Sequence, residues 1–205
     1  MPFDHNDHYH RLLLRQLPPG CRTALDVGCG TGRFARRLAR LGIEVDAVDR
    51  SAEVLVAARA APAPPAGGIR YLLADVTRMA LPAGRYDCVA CLASLHHLPF
   101  ATVAALRQAL APGGVLVVLG CYRQRTAADY AVALAAAPLN LAARLAVAAA
   151  ERARGATPDP RPPIAPAAMP LRQVREEAAR LLPGCTVRRL LFWRYLLVFR
   201  RPRDA

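Results

Sequence analysis

Lysine is absent from this 205-residue chain: all 28 basic side chains are arginine, set against 15 acids, and the formal net charge is +13. Such a charge invites a nucleic-acid reading. The same chain carries 42 alanines, however, and arginine in place of lysine together with excess alanine is the imprint of GC-rich coding, so the charge alone assigns no polyanionic partner. A membrane span is also missing. The longest apolar stretch, residues 127–150, is mostly alanine and is broken by Asp129, Pro138, Asn140 and Arg144, which reads as two short helices rather than the ~20 apolar residues a span needs. The first seven residues carry acids and no apolar run, so they form no secretory signal, and a cytoplasmic location is expected. Six cysteines then read as thiols. Cys88 and Cys91 form a CxxC, but in an apolar run of strand type, where positions three apart face opposite ways and cannot share a metal or a disulfide. With 54% hydrophobic and 21% charged residues, the chain is neither disordered nor of low complexity, and its length suits one domain.

What is present is an alternation. Residues 23–27, 43–48, 70–74, 86–92 and 115–119 read as strands. Between them lie helical patterns at 31–41, with Phe34, Leu38 and Leu41 on one face, at 51–60 with Ser51 as cap, and at 100–110. Strands alternating with helices imply right-handed βαβ units and a parallel sheet covered on both faces. The remainder breaks the rhythm: an alanine-rich helical insertion, a connector over 157–170 holding six of the 18 prolines, a helix over 171–182, and two strands, 186–191 and 193–200, close enough to pair as an antiparallel hairpin. The fold class is α/β: a Rossmann-like doubly wound sheet, mostly parallel with a C-terminal antiparallel strand, and a helical insertion after strand five. Within a single domain, 1–22 precedes the first strand, 23–121 forms the core, 122–170 the helical and Pro-rich insertion, and 171–205 the closing helix and hairpin.

The strongest motif is Asp26-Val27-Gly28-Cys29-Gly30-Thr31-Gly32, between the first strand and the first helix. Its glycines permit a sharp turn and close approach of a ligand to an open helix N-terminus. Asp49, at the end of the next strand, is placed to accept two ribose hydroxyls. Together these indicate an adenosine-containing cofactor. A dinucleotide fingerprint would place its third glycine at position 33, which is Arg33; here it comes one residue early.

The D-x-G-x-G-x-G loop resembles that of class I S-adenosylmethionine-dependent methyltransferases, in particular the small-molecule group that includes quinone-biosynthesis enzymes. Further pieces match in order from residue 24 to 120. Asp49 resembles the ribose-binding acid, and Ala74-Asp75-Val76 the segment whose acid meets the adenine amino group. Tyr86-Asp87 resembles the start of strand four, and Leu110-Ala111-Pro112-Gly113-Gly114 the turn into strand five. The resemblance implies S-adenosyl-L-methionine as cofactor, held by Asp26, Gly28, Cys29, Gly30 and Gly32, by Asp49 with its neighbour Arg50, by Asp75 and Val76, and by the backbone of Ala93. The Cys29 thiol packs rather than reacts. It also implies that the segment before strand one folds over the cofactor, with Tyr9 and His10 as lid residues.

Methyl transfer from a sulfonium is an in-line displacement that needs positioning rather than a metal, so no metal ligands are assigned; the His5, His8 and His10 cluster lacks a distant partner ligand. His96 and His97 follow strand four at the ligand-facing end and are the candidate base or acceptor-orienting group, one of the two packing away or capping the next helix. Ser94-Leu95-His96-His97 stands where nucleic-acid amino methylases carry Asn/Asp-Pro-Pro-Tyr/Phe, so the expected acceptor is a small molecule, and the protein a monomer or homodimer. Tyr130, Leu134, Leu139, Leu141, Leu145 and Val147 of the insertion line an apolar pocket or hold its helices together. The rival readings are an RNA methyltransferase, a non-methylating reaction such as a cyclisation on the same fold and cofactor, and a non-catalytic interaction partner. Residues 1–120 hold 13 Arg and 9 acids, net +4, while 121–205 hold 15 Arg and 6 acids, net +9. The insertion side therefore suits an anionic or carrier-bound acceptor.

Overall fold

The computed structural model describes residues 5–62, 64, 66–126 and 167–203. Five strands, β1 (Thr23–Val27), β2 (Glu44–Asp49), β3 (Ile69–Leu73), β4 (Tyr86–Leu92) and β5 (Leu110–Cys121), run parallel. Of the closing strands β6 (Thr186–Arg189) and β7 (Arg194–Arg200), β7 lies between β5 and β6 and runs antiparallel to both, in the order β3-β2-β1-β4-β5-β7-β6. The order reverses between β1 and β4, and at such a switch point a crevice opens beyond the carboxyl ends of the strands.

The central strands read as unbroken apolar runs because both faces are covered. Helix α1 (His5–Leu14) and α2 (Arg33–Ala39) lie with one face, where Phe34 and Leu38 meet Val45, Ala47, Ala90 and Val117. Helices α4 (Thr102–Ala109) and α5 (Leu171–Leu181) supply Leu106 and Val174 to the other, against Leu25, Val89, Leu116 and Leu197. Helix α3 (Ala52–Ala60) begins at the expected cap, the Ser51 hydroxyl accepting the Val54 amide. Cys88 and Cys91 fall in opposite halves of this core, as the strand period requires.

Two local readings are corrected. Leu41 is not on the buried face of α2: the helix stops at Ala39, and Leu41 is 59% exposed in the turn to β2, which Gly42 reverses at φ +80°. Pro112-Gly113-Gly114 is not a turn before strand five, because α4 ends at Ala109 and Leu110 already pairs with Tyr86. The three residues are an irregularity inside β5 that shifts its register between Tyr86 and Cys88. A Cβ at Gly114 would lie 2.8 Å from the Ala111 carbonyl oxygen, so only glycine fits there.

Asp46 is a buried acid outside the crevice. It accepts both arms of Arg70 at 2.8 Å and the Tyr86 hydroxyl at 2.8 Å. Burial pushes its carboxyl up, but these bonds, with Arg85 nearby, outweigh that and hold it below the usual carboxylate range. The insertion leaves and returns at one place: the Arg123 amide donates to the Met169 carbonyl at 2.9 Å, and Arg123 bridges to Pro170. Tyr130, Leu134, Leu139, Leu141, Leu145 and Val147 lie outside the described residues.

Candidate active site

The loop from β1 to α2 is built on three left-handed glycines, Gly28, Gly30 and Gly32, at φ +68°, +54° and +72°. The amides of Gly28 and Cys29 both donate to the Val48 carbonyl, at 2.8 and 3.0 Å, and tie the loop to the end of β2. The glycines serve different needs. A Cβ on Gly28 would run into the Cβ of Ser94, and one on Gly32 would lie 2.5 Å from the Tyr71 hydroxyl. Among the described residues, a Cβ on Gly30 would meet nothing within 4 Å, so this glycine borders open space in the described part of the chain.

Asp49 faces that space. Its Oδ2 accepts the Gly30 amide at 2.9 Å and its Oδ1 accepts the Ser51 amide at 2.9 Å. A carboxylate offers about four lone-pair sites, so the group is oriented by the chain and keeps acceptor capacity. Asp26, at the end of β1, is 1% exposed, and its Oδ2 has no hydrogen-bond partner among the described residues. Burial is the main cause that pushes its carboxyl up to about 7; the Ala35 amide lowers it and the charge of Asp49 raises it further. A buried acceptor without a donor is costly and uncommon. It fits a site completed by a cationic or hydrogen-bonding ligand.

The segment after β4 closes the crevice. Ala93 has φ +51°, a left-handed conformation rarely held by a residue with a side chain, and its amide donates to the Leu119 carbonyl at 2.7 Å. The Ser94 hydroxyl, within 2.9 Å of the Cys91 sulfur, donates to the Val27 carbonyl at 2.6 Å, stapling the end of β1 to the end of β4 where the glycine loop begins. Ser94→Ala is expected to lower stability by about 1 kcal/mol through loss of that bond, read as a lower urea midpoint at unchanged slope.

His96 and His97 sit in a single 3₁₀ turn, Leu95–His97. Their ring centroids are 4.1 Å apart with a 37° tilt. Burial, then the charge of Arg50, lower the pKa of His97 against the opposing pull of Asp49. A neutral imidazole can accept a proton.

Among the remaining expected residues, Asp75 is exposed and accepts the Thr77 hydroxyl and amide on Oδ1, at 2.7 and 2.9 Å, which lower its pKa. Val76 beside it is buried. The Cys29 thiol is pushed far above its usual range by burial and by Asp26 and Asp49, so it carries no thiolate for chemistry. Tyr9 and His10 are both buried in α1. The Tyr9 hydroxyl donates to the Leu191 carbonyl at 3.0 Å, and the His10 ring lies 5.0 Å from that of Phe34. Sequence reasoning missed Tyr71 and Ser94, whose roles arise only from strands distant in the chain. The hairpin expected of β6 and β7 is present, with a wider turn than the one residue expected: β6 ends at Arg189 and β7 begins at Arg194.

A family profile described as "Methyltransferase domain" matches residues 25–118. An uncharacterized methyltransferase of Mycobacterium tuberculosis is 36% identical over 205 residues, covering 98% of each chain. A ubiquinone biosynthesis O-methyltransferase of Xanthomonas campestris is 35% identical over 122 residues, 58% of this chain and 50% of that protein. Among solved structures, an S-adenosylmethionine-dependent methyltransferase of Methanosarcina mazei shares the fold with a TM-score of 0.61, over 94% of this chain and 98% of that one, at 15% identity. The strand order, the glycine loop at the switch point and a full-length relative above one-third identity converge on one assignment: the chain belongs to the class I S-adenosylmethionine-dependent methyltransferases.

Proposed function

We propose that the protein methylates a small-molecule acceptor, and that the observation carrying the cofactor placement is the Oδ2 of the buried Asp26, partnerless among the described residues, beside the open space at Gly30. S-adenosylmethionine, when bound, supplies an already activated methyl group. Asp26 accepts its ammonium, the loop of Gly28, Cys29, Gly30 and Gly32 lets its carboxylate approach the main chain, and Asp49 takes the ribose hydroxyls. Asp75 and Val76 border the adenine, the Ala93 backbone shapes the wall between cofactor and acceptor, and Arg50 stands at the rim. Tyr9 and His10 hold α1 against the site as a cover. These residues fit the group they are asked to hold: one buried acceptor for a cation, one oriented carboxylate for two hydroxyls, and a loop without side chains in the approach path.

Positioning of this kind supplies ~7–11 kcal/mol of the barrier reduction in favourable cases. His96 and His97 orient the acceptor, and a neutral His97 removes its proton where one must leave. Three observations favour a small-molecule acceptor: Ser94-Leu95-His96-His97 stands in place of a nucleic-acid amino-methylase segment, the core resembles enzymes named for ubiquinone biosynthesis, and the insertion starts and ends at the rim of the crevice. The test is calorimetry against S-adenosylmethionine with mass analysis of the products of a metabolite extract. Binding with a product heavier by one methyl group is expected. Absence of binding at millimolar cofactor overturns the reading, and a product without the added methyl mass assigns the fold to another reaction.

A further inference from the structure

The turn joining β6 to β7 is held in a conformation that its own residues disfavour. Phe192 and Trp193, its two central residues, both have φ +57°, and the Arg194 amide donates back to the Leu191 carbonyl at 3.3 Å. Two-residue hairpin turns with both central φ values positive are the province of Asn and Gly, and a side chain in this region is strained. Every carbonyl of the turn is tied down. Leu191 O also takes the Tyr9 hydroxyl at 3.0 Å, Phe192 O takes Arg194 Nη1 at 3.4 Å, and Trp193 O takes the Tyr122 amide at 3.4 Å. Strain that the surroundings over-determine points to a use for the side chains so displayed. Phe192 is accounted for by packing, being buried with the His8 ring edge-on at 5.9 Å. Trp193 packs at the edge of the same core as Phe192 but is only half-buried, so part of its surface stays exposed.

Position supplies the use. Because β7 runs antiparallel to β5 with Cys121 opposite Arg194, the turn stands at the carboxyl end of the sheet, the end that carries the glycine loop, Ala93 and the two histidines. The two segments that meet there, residues 119–126 and 189–196, contain Arg123, Arg125, Arg189 and Arg194 and no acid. Arg189 lies over the Tyr122 ring at 5.9 Å. Resting on the methyl-transfer reading above, we propose that Trp193 is an acceptor-binding residue, its indole forming one wall for a planar aromatic acceptor whose carboxylate is drawn by the arginines of this edge.

Trp193 is the single tryptophan, so selectively excited tryptophan fluorescence reports on this turn. The test saturates the full chain with S-adenosylhomocysteine and titrates 4-hydroxybenzoate, phenol and cyclohexanecarboxylate. Fluorescence change and calorimetric binding with the aromatic acid are expected, with phenol and the saturated acid each weaker by about tenfold. Trp193→Gly relieves the strain, so it is expected to melt at or above the wild-type temperature and to keep its S-adenosylhomocysteine affinity while losing the aromatic acid; Trp193→Phe retains it. No aromatic-acid binding by the wild type, equal binding by Trp193→Gly, or a lower melting temperature in that variant overturns the proposal. If S-adenosylhomocysteine itself fails to bind, the underlying methyltransferase site is what has failed.

Discussion

Gly28→Ala is expected to abolish cofactor binding at concentrations where the wild type is saturated, a loss of about 100-fold or more, since misplacement by about 1 Å at such a site has effects of this size. The added methyl group would run into the Ser94 Cβ. It also requires an alanine at φ +68°. Ser94 cannot withdraw freely, because its hydroxyl is bonded to the Val27 carbonyl at 2.6 Å and it follows the strained Ala93. The loop must therefore move, and with it the amides of Gly28 and Cys29 on Val48 and the Gly30 amide on Asp49. Left-handed alanine costs ~1–2 kcal/mol and overpacking ~1–3 kcal/mol, so chemical denaturation should show a loss of roughly 2–5 kcal/mol as well. Two controls separate the causes. Gly30→Ala meets nothing within 4 Å among the described residues and is expected to lose affinity with only the backbone cost to stability. Gly184→Ala, at φ +81° before β6 and also free of contacts, bears the same backbone cost and should bind cofactor normally. Wild-type affinity in Gly28→Ala would sink the account of the loop.

The second large effect is a pH dependence set by Asp26. Its carboxyl, pushed up to about 7 by burial, ionises in the unfolded chain near the ordinary value of about 3.9. A raised folded-state pKa means that the folded protein holds the proton more tightly. The resulting stabilisation is complete below about pH 4 and is lost as pH rises through about 7, an effect of about 4 kcal/mol for this group alone. Asp46 and Asp75, whose pKa values are lowered, contribute with the opposite sign, so the whole protein's profile does not isolate Asp26. Asp26→Asn does. The isosteric amide cannot ionise, so it should be more stable than the wild type at pH 8, by roughly 1–4 kcal/mol, with the difference shrinking as pH falls and vanishing below about pH 4. Cofactor affinity should move the other way: the wild type weakens as pH falls below about 7, while Asp26→Asn is weak throughout and flat with pH. An affinity of Asp26→Asn equal to that of the wild type at pH 8 would remove Asp26 from the cofactor site.

The sequence was most legible where a residue type has few physical alternatives. Asp26-Val27-Gly28-Cys29-Gly30-Thr31-Gly32 between an apolar run and a helical pattern could be located because only glycine sits comfortably at three left-handed positions in five residues. Ser51 as a cap, the boundaries of β1 and β4, and the opposite facing of Cys88 and Cys91 followed from local chemistry and strand period. The end of α2 did not, since Leu41 continues the apolar spacing and only the turn at Gly42 removes it from the core. The left-handed Ala93 was equally hidden, because alanine has no preference for that conformation.

The sequence by itself determined the alternation of strands and helices, the family and the cofactor loop, because hydrophobic period and glycine are local signals that survive without partners. Tertiary structure alone decided what the loop rests on and what surrounds it. Ser94 is 66 residues beyond Gly28, Tyr71 is 39 beyond Gly32, and the turn of Phe192 and Trp193 stands at the carboxyl end of the sheet only because β7 returns antiparallel beside β5. These contacts have no local signature. Their energies arise from strands brought together by the parallel sheet, and a residue that is ordinary in the chain, such as a serine or an alanine, becomes decisive only once a neighbour far along the sequence fixes its backbone or fills the space beside it.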